Sequence, residues 1–241
     1  MMLDVKIIPC LSDNYAYLMH DKKNNIVGII DPSEFEPINT IIEKKFGKLD
    51  YIFNTHHHAD HIGGNLELKK KYNSKIIGYE GDKNRIPGID ILIKDGENFL
   101  FGDKLFKIMH VPGHTSGHIA FYCEKDKIIF TGDTLFSFGC GRLFEGTSED
   151  MFRSLEKIKK LPKDIQIFCG HEYTKNNIEF CLSQNKSDEF LKRKLVEAKE
   201  NLSNFKPTIP STLEDEIAGN IFLKCKNSKD LKKLRDIKDK F

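Results

Sequence analysis

Residues 54–64 read NTHHHADHIGG, with four histidines and one aspartate in six consecutive positions. The run follows a strand-like apolar segment at 51–53 and ends in a Gly-Gly turn signal. An expression tag or a chance surface run would not be expected between a strand and a turn inside a domain. The stretch therefore predicts a functional site at the end of a strand.

The spacing of these side chains predicts that they point towards two different ions. In extended backbone, residues two apart project to the same side, so His56 and His58 can bind one ion. The adjacent Asp60 and His61 then turn towards another ion, and His57 points away.

Three further residues of metal-binding type stand at predicted strand ends: His114, Asp133 and His171. Strand ends that open onto one rim of a sandwich bring distant residues together. The resulting five imidazoles and two carboxylates are too many donors for one tetrahedral ion, and without thiolates they suit zinc, iron or manganese. The sequence thus predicts two divalent ions that share a carboxylate.

The order of apolar patterns predicts the fold. Short runs rich in Ile, Val, Phe and Tyr alternate with helical stripes at 38–46 and 152–161. The polar segment at 124–127 predicts a hairpin, so the sheet cannot be purely parallel. We expect a mixed α/β sandwich over residues 1–172. From residue 173 onward lysine-rich helical patterns, divided near Asp188, predict a small helical domain over 173–241.

Composition excludes several classes of protein. The net charge of +2, from 38 basic and 36 acidic side chains, is too balanced for a nucleic-acid or membrane partner. The six cysteines form no CxxC pair, which indicates reduced thiols and a cytoplasmic location. No apolar run approaches the ~20 residues of a membrane span. The first residues read as a strand without a signal peptide, so we expect no export.

The histidine motif, followed in order by His114, Asp133 and His171, resembles the metallo-β-lactamase superfamily. Shorter segments extend the resemblance to nearly the whole chain and select the glyoxalase II family, the hydroxyacylglutathione hydrolases: CLSDNYAYL, GCGRLFEGT, CGHEYT, STLEDEI and LRDIKDKF. The resemblance implies a four-layer αββα sandwich with a C-terminal α-helical substrate-binding domain.

The resemblance also implies the ligands of each ion and the catalytic residues. The first metal ion would be held by His56, His58 and His114. The second would be held by Asp60, His61 and His171. Asp133 would bridge the two ions, and Asp60 would also orient the nucleophilic hydroxide. We expect zinc in both positions, with iron or manganese as alternatives.

The implied reaction is the hydrolysis of S-D-lactoylglutathione and related S-2-hydroxyacylglutathiones to glutathione and D-lactate, in methylglyoxal degradation. Two ions can hold one water between them and lower its pKa from 15.7 towards ~7, so no nucleophilic side chain is needed. A thiol leaving group with a pKa of about 8.5 departs without a strong general acid. The partner is then a small-molecule glutathione thioester, and we expect a monomer.

Five residues match the family's substrate-binding positions: Arg142, Phe144, Tyr173, Arg235 and Lys238. The cations suit the two carboxylates of glutathione. Phe144 departs from the pattern, because better-known members have a tyrosine there, and a hydroxyl contact to glutathione is lost. Alternatives that share the fold are a persulfide dioxygenase with one iron and another metallohydrolase, such as a β-lactamase or a nuclease. A nuclease would need a pronounced basic surface.

Overall fold

The computed structural model describes residues 2–241. Its strands are β1 (Asp4–Cys10), β2 (Asn14–Asp21), β3 (Ile26–Ile30), β4 (Tyr51–Phe53), β5 (Lys75–Tyr79), β6 (Ile91–Ile93), β7 (Asn98–Phe101), β8 (Lys104–His110), β9 (Ile119–Cys123), β10 (Ile128–Gly132), β11 (Leu135–Phe136), β12 (Gly139–Cys140), β13 (Gln166–Cys169) and β14 (Ser211–Thr212). Its α-helices are α1 (Glu36–Lys45), α2 (Ala59–Ile62), α3 (Asn65–Tyr72), α4 (Ser148–Lys159), α5 (Thr174–Gln184), α6 (Glu189–Ser203), α7 (Leu213–Gly219) and α8 (Ser228–Lys238).

The described strands form two mixed six-stranded sheets and one short hairpin. The first sheet has the order β1-β2-β3-β4-β5-β6, antiparallel at its beginning and parallel from β3 onward. The second has the order β14-β13-β10-β9-β8-β7, and the predicted turn at 124–127 joins the antiparallel strands β9 and β10. β11 and β12 make the separate hairpin. The prediction of a mixed sandwich is confirmed.

Alternation along the strands creates the layers. In β4, Phe53 packs into the core between the sheets, whereas Ile52 faces the outer layer with Ile38 and Ile42 of α1. On the other side α4 packs on the second sheet through Leu155 and its neighbours. A strand buried on both faces reads as a continuous apolar run, which is why these strands were visible in the sequence.

The helical stripes appear close to where the pattern placed them. Thr147 and Asp150 form a reciprocal capping box at the start of α4. The Asp188 carboxylate accepts a hydrogen bond from the Leu191 N–H and begins α6. The tail is less separate than predicted, because Ser211–Thr212 adds strand β14 to the second sheet. Within residues 2–241, the helices fall short of the length and apolarity that crossing a membrane requires.

The Gly-Gly turn joins α2 and α3, and close packing explains its residues. A Cβ on Gly63 would lie 2.3 Å from the Ser33 carbonyl oxygen, and one on Gly64 would lie 2.9 Å from that of Glu34. The glycines therefore let the metal-motif segment lie directly against the backbone that follows β3. Both have ordinary negative φ angles, so the requirement is for space.

Phe53 provides a test of the core between the sheets. Its ring makes edge contacts with the rings of Phe99, Phe101 and Phe121, at centroid distances of 5.4, 5.9 and 5.4 Å. We expect Phe53→Ala to lower the free energy of unfolding by ~3–5 kcal/mol in urea titrations, because the cavity cannot close. Phe205→Ala is the matched control, since that ring is 99% exposed, and it should change stability by less than ~0.5 kcal/mol. Equal midpoints for the two variants would contradict this packing.

Candidate metal centre

The predicted donor residues follow the carboxyl ends of four strands. In the second sheet β8 and β10 run in the same direction, because each is antiparallel to β9, and β13 is parallel to β10. The loops after these three strands carry His114, Asp133 and His171, so all three lie along one edge. The loop between β4 and α2 meets that edge from the first sheet and brings the histidine motif to the same rim.

Three imidazoles converge on one point. The Nδ1 atom of His58 lies 3.1 Å from Nε2 of His56 and 3.0 Å from Nε2 of His114. His56 and His114 are buried, and His58 is half-buried at the N-cap of α2. Three nitrogen atoms within this distance are the donor set of a tetrahedral metal site with one open position.

A second group lies beside the first. Nε2 of His171 is 3.4 Å from the Asp60 carboxylate, and Nε2 of His61 is 3.6 Å from it. Asp133 stands between the two groups. One of its carboxylate oxygens lies 3.4 Å from Nε2 of His61, and the other lies 3.3 Å from Nε2 of His171 and 3.4 Å from Nε2 of His114.

Outer partners decide which nitrogen of each imidazole faces inward. The Nδ1 atom of His114 lies 2.9 Å from the Arg142 carbonyl, so it must carry the proton and leave Nε2 with a free lone pair. In the same way Asp31 lies 3.1 Å from Nδ1 of His61, and Asp13 lies 2.8 Å from Nδ1 of His171. The lone pairs on Nε2 therefore point at one another and at carboxylates.

This arrangement fits a divalent cation. Two donor atoms of this centre, Nε2 of His61 and Oδ1 of Asp133, are buried without a hydrogen-bond partner among the described residues. Burial lowers the pKa of His56 well below its ordinary value and that of His58 to about 4, so both imidazoles are neutral. Burial alone would also lower the pKa of His61, but the Asp133 carboxylate raises it to about 10, so without a metal ion this imidazole would hold a proton in place of the cation. Buried unpaired lone pairs and carboxylates are costly unless a cation lies between them.

Two other histidines border the cluster. His118 is fully buried, its ring stacks on His56 at 4.6 Å, and its Nε2 accepts a hydrogen bond from the Asp133 N–H at 3.0 Å. A residue that contacts a metal ligand in this way fixes the orientation of that ligand. His57 points away from the cluster, as its spacing predicted, and its Nδ1 lies 3.3 Å from Asp82.

A cleft of about 580 Å³ joins this cluster to the helical tail. It is lined by all five predicted substrate-binding residues and by Asn176, Asp239 and Phe241, which sequence reasoning missed. These three have no motif of their own, and only their neighbourhood to Tyr173 and Lys238 in the chain could have suggested them.

The predicted substrate-binding residues differ in their exposure to solvent and in their contacts. Phe144 is 62% exposed and its ring contacts His58 and His114 edge-on, at centroid distances of 5.7 and 5.2 Å. Tyr173 stacks flat on the His171 ring at 4.8 Å. Arg235 is only 5% exposed, because its guanidinium donates to the Cys140 carbonyl at 2.7 Å.

The charges in the cleft come mainly from the tail. Nε of Arg142 lies 3.5 Å from the Asp239 carboxylate, and the same carboxylate accepts hydrogen bonds from Arg235 at 2.9 and 3.0 Å. The Lys238 ammonium lies over the rings of Phe180 and Phe241, at 5.0 and 5.2 Å. Burial and then the positive charge of Arg235 lower the pKa of Lys238 to about 8.

Removal of the metal should destabilise the folded protein. A ligand bound only by the folded state contributes ~4 kcal/mol at a free concentration 1,000 times its Kd. We expect chelation to lower the melting temperature by several degrees and added zinc to restore it, as measured by differential scanning fluorimetry. His58→Ala should reduce this difference, whereas His20→Asn, on strand β2, should retain it. A melting temperature that does not respond to chelation or to added zinc would contradict the metal centre.

Comparison with known proteins supports this description. The metallo-beta-lactamase superfamily model matches residues 12–171, and the model of the hydroxyacylglutathione hydrolase C-terminus matches residues 172–241. The hydroxyacylglutathione hydrolase of Pelagibacter ubique is 52% identical over 239 residues, 99% of this chain and 100% of that protein. The enzyme of the same name from Methylococcus capsulatus is 43% identical and covers 92% of this chain and 87% of its own.

Among solved structures, ETHE1 from Myxococcus xanthus superposes with a TM-score of 0.73 at 21% identity, over 98% of this chain and 90% of its own. At that identity the likeness shows the fold alone, and it agrees with the αββα sandwich. The two family models together with the relatives that match nearly its full length show that this chain belongs to the metallo-beta-lactamase superfamily and, within it, to the hydroxyacylglutathione hydrolases.

Proposed function

We propose that the protein hydrolyses the thioester S-D-lactoylglutathione, and related S-2-hydroxyacylglutathiones, to glutathione and a 2-hydroxy acid. The observation that carries the proposal is the single cleft in which the donor cluster and the cations of the tail face a common space. A substrate that has carboxylates at one end and a reactive carbonyl at the other suits such a cleft. The names of the relatives and the match to the hydrolase C-terminus support the same substrate class.

We assign His56, His58 and His114 to one divalent ion, Asp60, His61 and His171 to a second, and Asp133 to both. Such ions supply Lewis acidity, which lowers the pKa of water and polarises a carbonyl group. Zinc is the metal we propose, because imidazole and carboxylate donors suit it, and iron or manganese would fit the same donors.

The residues of the chain itself contribute orientation. Asn14 donates to the Asp60 carboxylate at 3.0 Å, which fixes that carboxylate at the rim of the cluster. Although burial opposes ionisation, His171 and His61 lower the pKa of Asp60 below its ordinary value, so the carboxylate stays charged. Fixed and charged in this place, the Asp60 carboxylate can accept a hydrogen bond from the nucleophilic hydroxide and orient it towards the thioester carbonyl.

The tail and the loop at 142–145 bind the other end of the substrate. Arg142 and Lys238 line the cleft with charged donors, and Tyr173, whose ring stacks on His171, lines it as well. A charge-assisted hydrogen bond to a carboxylate contributes ~1.5–3 kcal/mol, so two of them change affinity by orders of magnitude. Phe144 offers an apolar ring over His58 and His114, which suits contact with the uncharged middle of the substrate.

We also propose that the protein acts as a monomer in the cytoplasm, in methylglyoxal degradation. The thiol groups of its six cysteines are free and buried, which favours a reducing compartment. We further propose residue 172 as the end of the catalytic domain.

The decisive experiment is the hydrolysis of S-D-lactoylglutathione by purified protein, with metal analysis of the same sample. We expect turnover with close to two metal ions per chain. His171→Ala should retain about one ion and lose at least ~100-fold in kcat/KM, because one ligand of the second ion is missing. The variant His20→Asn, which changes a histidine on β2 outside the cluster, is the control.

Two results would overturn the assignment. No thioester hydrolysis by fully metal-loaded protein would remove the substrate. Oxygen consumption with glutathione persulfide, supported by one iron per chain, would move the protein to the dioxygenases.

The lowered pKa of Lys238 predicts a pH dependence of KM. Below pH ~8 the ammonium is charged and attracts a substrate carboxylate, and above it the side chain becomes neutral. KM should therefore rise as pH increases from 7 to 9, while Lys238→Met should show a high KM that changes little over this range. Steady-state kinetics at constant ionic strength measure both. If Lys238→Met has the KM of the wild-type protein at pH 7, Lys238 does not bind the substrate.

A further inference from the structure

A second polar network lies behind the metal centre, outside the residues assigned so far. Its members are His57, Asp82, Arg85, Ser116 and Glu145. Asp82 ends the short 3-10 helix Glu80–Asp82 after β5 and is completely buried. A fully buried carboxylate is costly unless it is paired, so the network needs an explanation.

Arg85 is the centre of this network. Its Nε and Nη2 atoms both donate to Asp82, the former at 3.0 Å and the latter at 2.5 Å. Nη2 also donates to the Ser116 hydroxyl at 3.0 Å, and Nη1 donates to the Glu145 carboxylate at 2.7 Å. Nη1 also lies 3.4 Å from Nε2 of His57, so one planar guanidinium contacts the separate segments of His57, Ser116 and Glu145, which a lysine could not do.

Each contacted segment carries a residue of the proposed active site. Ser116 lies two positions after His114, and Glu145 follows Phe144 in the loop that also carries Arg142. His57 lies between His56 and His58, with Nδ1 3.3 Å from Asp82 and Nε2 3.4 Å from Glu145. The side chain that points away from the metal cluster is therefore the one that contacts this network.

Close packing leaves the network little freedom to shift. A Cβ on Gly117 would lie 2.0 Å from Oδ1 of Asp82, so the carboxylate lies directly against the backbone of the His114 loop. Glu145 also accepts hydrogen bonds from the Ser116 N–H and hydroxyl, both at 2.8 Å. Burial opposes ionisation of Glu145, but the bonds from Arg85 and Ser116 lower its pKa to about 2, so it remains charged.

We propose that Arg85, through Asp82, Ser116 and Glu145, is a positioning residue that fixes the loops of His58 and His114 relative to each other and to the substrate-binding loop at 142–145. The loops of His114 and Phe144 already share a backbone hydrogen bond, from Phe144 N–H to the His114 carbonyl at 3.3 Å. Arg85 adds the connection to the histidine motif. The inference rests on the proposed function for its effect on substrate, and on the donor cluster alone for its effect on metal.

Arg85→Met tests both effects. Substitution of a residue that supports metal ligands from outside typically lowers metal affinity or activity by about 10- to 100-fold. We expect Zn²⁺ affinity of the apo protein, measured by competition with a chromophoric chelator, to fall at least about tenfold, and KM to rise by a similar factor. Arg153→Met is the matched control, because Arg153 makes an exposed ion pair with Glu149 on α4 at 2.8 Å, and it should leave both values unchanged.

Glu145→Gln separates positioning from general destabilisation. It weakens the hydrogen bonds from Arg85 and Ser116 to the substrate-binding loop and leaves the pair of Arg85 and Asp82 in place. KM should therefore rise about fivefold or more while Zn²⁺ affinity stays within about twofold of wild type. A purely structural role would lower the melting temperature of both variants without this difference between metal affinity and KM. If Arg85→Met does not fold, Arg85→Lys keeps the charge beside Asp82 but not the three-way contact, and should show an intermediate loss of both.

The proposal would be overturned if Arg85→Met bound Zn²⁺ as tightly as Arg153→Met does. If only Arg85→Lys folds, the same comparison is made with that variant. This measurement uses no substrate, so it remains decisive even if the wild-type protein fails to hydrolyse the thioester. Hydrolysis by the wild type together with unchanged KM in Glu145→Gln would remove the connection to the substrate-binding loop.

Discussion

The convergence of nitrogen lone pairs and carboxylates at one rim of the sandwich is the constraint on which the rest of the structure depends. Three imidazoles are held with Nε2 inward by outer partners, namely Asp13, Asp31 and the Arg142 carbonyl. Without a cation the facing lone pairs and carboxylates must take up protons instead, and Nε2 of His61 and Oδ1 of Asp133 lack a hydrogen-bond partner within residues 2–241. The fold must therefore supply rigidity from behind, and two stacked mixed sheets with helices on both outer faces do so.

Much of the fold could be predicted because burial on both faces gives continuous apolar runs. The central strands of both sheets were recognisable for this reason. The edge strands β6 and β7 were not, because their side chains alternate between buried and exposed over only three or four residues. The short helices α2 and α3 were hidden as well, since the first is four residues long and the second is rich in lysine.

The donor residues of the site could be predicted, and their outer partners could not. Imidazoles at strand ends have a residue type and a spacing that few other roles explain. Asp31, Asp13 and Arg85 are single charged residues far from the motif in sequence, and only the folded chain brings them to it. The burial of Arg235 could not be predicted either. In the lysine-rich helix α8, only the spacing of Leu231 and Arg235 indicates which face is buried.

The tail completes the centre as well as the substrate cleft. The hairpin of β11 and β12 follows Asp133 directly, and its connecting residue Phe138 has a φ angle of 57°, in the left-handed region that non-glycine residues rarely adopt. From the tail, the buried Glu216 carboxylate accepts the Phe138 N–H at 2.8 Å, and Asn220 donates to the Gly139 carbonyl at 3.1 Å. A backbone strained in this way persists only where its surroundings hold it. The tail thus fixes the segment between Asp133, which we assign to both ions, and the cations of the cleft. This contact couples the position of the proposed substrate to the position of the proposed ions.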